Sequence, residues 1–123
     1  MMEEPLNRLE KSAEALNAES DRFRANLEAL EEQLKKLSVG IEVQYNGWGY
    51  GKMERKWGFF WVAGAAGRKS VFELARTERT GLAQVMGVLI DRLCVAADTE
   101  KHKLEEANRI LEYQRVRASG MKA

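Results

Sequence analysis

Few side chains in this sequence are placed to do chemistry. His102 is the single histidine, within the run Glu-Lys-His-Lys-Leu. Neither a cysteine nor a second histidine completes a ligand set with it, so it reads as a solvated surface residue. Cys94 is the single cysteine. It stands among apolar helix positions and reads as a buried, inert thiol. The run Gly47-Trp-Gly-Tyr-Gly51 has closely spaced glycines, but no helix opens after it and no Lys-Ser/Thr follows. It therefore fits neither the dinucleotide nor the phosphate-loop fingerprint. The carboxylates of both helical regions fall at solvent-facing positions. These observations predict no enzyme activity, no cofactor and no metal.

One cluster does suggest binding. Aromatic residues from Tyr45 to Trp61 are interleaved with Lys52, Arg55, Lys56 and, further on, Arg68. Aromatic and arginine side chains are over-represented where single residues carry binding energy. The candidate site is Trp48, Tyr50, Lys52, Arg55, Lys56, Trp57 and Arg68. Its partner is another protein, or a nucleic acid whose bases stack on the rings while the cations meet phosphates.

The element ahead of this cluster is the strongest pattern in the chain. From Leu6 to Leu37 apolar residues recur at alternating steps of three and four. In heptads the a positions are Leu6, Ala13, Ser20, Leu27 and Leu34, and the d positions are Leu9, Leu16, Phe23, Leu30 and Leu37. Such a seam predicts a helix over about 4–38 that packs along another helix. Pro5 suits its first turn, and Gly40 suits the residue after its end. If the seam lies between chains, Leu9, Leu16, Phe23, Leu27, Leu30 and Leu34 form an oligomer interface, most simply a homodimer. If it lies within the chain, the two long helices pair antiparallel, Leu34 near Leu82 and Leu6 near Leu111.

From Ile41 the hydrophobic period changes to two, and Asn46-Gly47 signals a hairpin. Strands are predicted over 41–45, 48–53 and 56–62, with a short fourth at 70–74. Trp57, Phe59 and Trp61 share one face, while Lys56, Phe60 and Val62 share the other. One face can lie under a helix, which leaves some aromatic surface exposed or covered by a second subunit. A second long helix follows over about 78–118, with Thr77 as its cap. Its first half is broadly apolar and its second half narrow. The expected fold is α+β in a single domain, 1–123: a heptad helix, an antiparallel sheet over 41–74 and a C-terminal helix, with coiled-coil-like helix pairing.

Charge and composition set limits on function. Charged residues make up 32% of the chain yet nearly cancel, at +1, so no global field points to nucleic acid or a membrane. The middle, Val39 to Thr80, is the basic part and holds all three tryptophans. The N-terminus lacks the basic and apolar regions of a secretory signal. No apolar run approaches the roughly 20 residues of a membrane span. A cytoplasmic location is expected. The hairpin with Tyr50-Gly-Lys52 facing Lys56-Trp-Gly58, followed by a helix, resembles small bacterial and phage proteins of unassigned function. That resemblance covers about Ile41 to Leu93 and implies a helix-backed antiparallel sheet, with no activity attached. The functional expectation is a non-enzymatic protein-binding module, adaptor or inhibitor that oligomerises through its helices. The alternative is nucleic-acid or nucleotide binding through the basic aromatic sheet.

Overall fold

The computed structural model describes residues 3–37 and 40–121. It is α+β: a long helix, a four-stranded antiparallel sheet and a second long helix. Helix α1 runs over Glu3–Leu37, with Glu3 and Glu4 in its first turn and Lys35 and Lys36 in its last, which matches the helix dipole. The end expected at Ser38 lies outside the described residues. Gly40 then takes a φ of 66°, a conformation open to glycine at little cost.

The strands are β1 (Val43–Tyr45), β2 (Trp48–Met53), β3 (Lys56–Val62) and β4 (Arg68–Ser70), in the order β1-β2-β3-β4. Asn46 and Gly47 both have positive φ, as a tight hairpin turn requires. The fourth strand lies earlier than the expected 70–74. Ser70 Oγ accepts the Phe72 N–H, and Val71–Glu73 coil into a 3-10 turn instead of extending the ladder.

The second helix also starts earlier than expected. A short helix α2, Arg76–Arg79, passes through Thr80 in helical conformation into α3, Gly81–Gly120. Ala75 precedes it in extended conformation without a side-chain cap, so Thr77 lies inside the helix and does not cap it. By length and composition this helix carries an 18-residue stretch apolar enough to cross a membrane, with mean hydropathy 1.4, which the run-length reading of the sequence passed over. Asp91 and Arg92 interrupt its apolar residues, and Leu82, Leu89 and Leu93 are buried against the sheet.

Both helices cover the same face of the sheet. Trp48, Tyr50 and Phe59 on that face join Leu27 of α1 and Leu82, Leu89 and Leu93 of α3 in one core, closed by Val71 and Leu74. Phe23, Leu30 and Leu34 pack against its margin. From Phe23 to Leu34 the heptad seam is therefore covered by the chain's own core, with Leu37 beyond it 68% exposed. The seam's N-terminal half is not covered: Leu6, Leu9 and Leu16 are 61%, 64% and 52% exposed.

The antiparallel helix pairing expected within the chain does not occur. Asn17 of α1 meets Arg76, whose Nη1 donates to Asn17 Oδ1 at 2.9 Å. Leu34 and Leu37, near the other end of α1, flank Ile90, Leu93, Cys94 and Ala97 of α3. Rising numbers on α1 thus meet rising numbers on α3, so the helices run in the same direction. The sheet permits this because its last strand and the 3-10 turn return the chain to the N-terminal side before α2 begins. The free ends consequently leave opposite ends of the body. Residues 3–19 of α1 and 98–121 of α3 are exposed along almost their whole length.

On the outer sheet face Phe60 is covered as well, while Tyr45, Trp57 and Trp61 elsewhere on the sheet are only partly buried. Phe60 is fully buried, with the Arg68 guanidinium 4.3 Å over its ring. Its ring lies on Gly49, where an added Cβ would come within 2.4 Å of it. Glycine in the neighbouring strand makes room for the phenylalanine, and one arginine roofs it.

Candidate interaction surfaces

The seven residues of the predicted binding cluster separate into two groups. Trp48 and Tyr50 are core side chains, 9% and 4% exposed. The Trp48 ring packs on Trp61 at 4.6 Å between centroids and on Gly81 of α3, where a Cβ would stand 3.1 Å from it. Tyr50 contacts Phe59 edge-on at 5.4 Å. Arg68 has a structural task. Besides roofing Phe60, it pairs with Glu42, and its Nη1 donates to the Lys52 carbonyl at 3.0 Å. That pairing holds the Glu42 carboxyl below the usual range.

Lys52, Arg55 and Lys56 are exposed around the β2–β3 turn, and Trp57 is half-buried beside Tyr50. These four are what the cluster offers to a partner. Lys52, Lys56 and Trp57 border a groove of ≈ 740 Å³ that also touches Glu31, Lys35 and Phe72. The turn itself is strained, because Glu54 adopts φ 56°.

Glu31 is the residue that sequence reasoning missed. Its heptad position flanks the seam and predicts a solvated carboxylate. In the structure it is buried at 9% exposure, and its Oε1 accepts the Phe59 N–H at 2.8 Å. The ladder explains the bond. Phe60 pairs with Ser70 and Trp61 with Lys69, so the next partner of Phe59 would be Val71. Val71 turns away into the 3-10 turn, and Glu31 supplies the missing acceptor. Burial pushes the Glu31 carboxyl above its usual range; the Phe59 hydrogen bond and nearby Lys35 oppose the shift. The one sequence signal was Gly58, where a Cβ would lie 2.8 Å from the Glu31 carboxylate.

Arg92 treats the opposite edge in a similar way. Its Nη1 donates to the Gln44 carbonyl of β1 at 2.8 Å, and its guanidinium lies 4.9 Å over the Tyr45 ring. Each long helix thus extends one charged side chain to an open strand edge, which discourages edge-to-edge pairing with another sheet.

Cys94 is exposed rather than buried. It lies one residue past the buried Leu93, at the rim of an apolar recess of ≈ 240 Å³ between the end of α1 and α3. His102 is exposed in the free length of α3, with Nδ1 3.5 Å from Glu105. Among the described residues no group of three or more His, Cys, Asp or Glu could hold a metal ion.

Most of the exposed large apolar side chains lie on the helix arms, away from the sheet, with Leu37, Val88 and Val95 exposed on the body. On α3, Leu104, Ile110, Leu111, Tyr113 and Val116 are 54–67% exposed. On α1 the exposed stripe runs into a second groove of ≈ 560 Å³, lined by Leu16 and Phe23 against Arg76, Thr77 and Thr80. Comparison with protein-family models, curated proteins and solved structures gives no match, so the surfaces themselves carry the functional reading.

Proposed function

We propose that this chain is a non-enzymatic protein-binding module, an adaptor or inhibitor, that associates through its helices. One observation carries the reading. Both long helices continue beyond the sheet, in opposite directions, and keep apolar stripes on the free lengths. Exposed apolar area of this extent marks a surface that is covered in use. A partner protein has a second foothold in the exposed Lys52, Arg55 and Lys56 beside the half-buried Trp57. A single cysteine suits a reducing, cytoplasmic setting.

The nucleic-acid reading draws on the same exposed cations. It has less support than the sequence suggested, since stacking needs open ring faces and those of Trp48 and Tyr50 are in the core. Light scattering over the micromolar range tests the main reading: self-association gives a mass above the 14.0 kDa of one chain, and a constant 14.0 kDa refutes association between copies. Salt titration of any binding partner separates the two classes. Binding through several phosphates falls steeply and log-linearly with salt, and an aromatic protein contact does not.

A further inference from the structure

We propose that the free length of α3 pairs with the same segment of a second copy, antiparallel, about a two-fold axis passing between Ala107 and Asn108. The arrangement rests on the helix-association reading above and specifies its geometry.

Three observations lead to it. The first is continuity. On the body, the stripe Ile90, Leu93, Cys94 and Ala97 of α3 is flanked by Leu34 and Leu37 at the end of α1. α1 stops there, but the stripe does not. It continues at heptad steps from Ala97 through Leu104 and Leu111 to Ala118, with Leu104 and Leu111 58% and 65% exposed. A helix of a second copy laid on this stripe extends the cover that α1 begins.

The second is charge. From Asp98 to Glu106 four carboxylates stand against two lysines; from Ala107 to Arg117 three arginines stand against one carboxylate. Laid antiparallel, the acidic half of each arm faces the basic half of the other. A parallel pair sets like against like. Asp98, Glu100 and Lys103 on one half and Glu112, Arg115 and Arg117 on the other are open to such pairing. These six side chains make no ion pair within the described residues, whereas Lys101, Glu105, Glu106 and Arg109 do. The α1 arm lacks such self-complementarity. Residues 3–22 carry six carboxylates and three basic side chains, so two α1 arms repel.

The third is packing. The axis passes the small Ala107, which permits close approach, and sets Leu104 level with Leu111 on both sides. The second copy's Met121, 78% exposed in one chain, arrives level with Cys94 at the mouth of the apolar recess. The pairing is isologous and therefore closes as a dimer.

Charge reversal tests the proposal on the full chain. Arg115→Glu with Arg117→Glu makes the arm acidic throughout; Asp98→Lys with Glu100→Lys makes it basic throughout. All four positions are exposed, so at dilutions where the wild type is monomeric the circular dichroism and melting of each variant should match it. Each variant alone should dimerise roughly ten-fold more weakly or worse, and an equimolar mixture should recover the dimer. A second readout fixes direction. In a Cys94→Ser background, Asn108→Cys should form a disulfide between copies. Ala118→Cys should cross-link with Ala97→Cys but not with itself. Self-cross-linking of Ala118→Cys, or variants that dimerise as well as wild type, overturns the arrangement while leaving association intact. A wild type that stays monomeric refutes the association reading itself.

Discussion

Removing the Glu31 carboxylate should damage this protein through one backbone amide. In Glu31→Ala the Phe59 N–H keeps its buried place and loses its acceptor. An orphaned buried donor costs about 1–3 kcal/mol. At about 4 °C per kcal/mol, the melting temperature should fall by about 4–12 °C. Glu31→Gln keeps a side-chain oxygen for the amide and removes the charge that burial disfavours, so it should match or exceed the wild type near neutral pH. The sign of the pH effect follows from the raised carboxyl. A carboxyl whose folded pKa lies above its unfolded value contributes stability when protonated. That contribution is complete below the unfolded value of 4.5 and is lost as pH rises through the folded value. Acidification from neutral toward the unfolded value should therefore raise the stability of wild type relative to Glu31→Gln. Glu42 works the other way. Its lowered carboxyl contributes stability above 4.5 that is lost as pH falls through the folded value, so the two windows do not overlap. Thermal melts of the three proteins across this range decide the matter. If Glu31→Gln is as unstable as Glu31→Ala, the charge and not the hydrogen bond holds the edge, and the argument fails. If Glu31→Ala melts like wild type, the bond contributes nothing.

Three further outcomes are expected. Leu27→Glu places a carboxylate at a core position 4% exposed, and should cost about 3–5 kcal/mol, a loss that does not change with protein concentration. Gly87→Ala meets nothing within 4 Å, and should stabilise α3 by up to about 1 kcal/mol in chemical denaturation; Gly81→Ala, set against Trp48, should give less or none of that gain. Arg55→Ala combined with Lys56→Ala removes two exposed cations. It should leave the melting temperature nearly unchanged and weaken binding of a partner that uses the hairpin, as calorimetry would read directly.

Local residue patterns set the elements and their kind. A seam repeating every 3.5 residues, an alternation of period two and the Asn46-Gly47 turn are local patterns, and local sterics and burial on one side suffice to write them. The fourth strand and the start of the second helix shifted by a few residues because Ser70 and Ala75 set local turns that periodicity does not register. Tertiary structure decided what covers each apolar stripe. A heptad states that Leu27 and Leu9 share a face; it cannot state that a sheet ends between them, leaving one buried and the other exposed. Helix direction is equally non-local, since it depends on which end of the sheet the chain returns to before α2. The candidate site was half legible for the same reason. Lys52, Arg55 and Lys56 of the candidate site lie exposed around the β2–β3 turn. Trp48, Tyr50 and Arg68 were absorbed by the core and by the roof over Phe60. Glu31 leaves no local mark of its own beyond Gly58 opposite it, because its burial comes from an unfinished ladder on a strand 28 residues away. A carboxylate looks the same in sequence whether it faces water or an unpaired amide, and only the fold distinguishes the two.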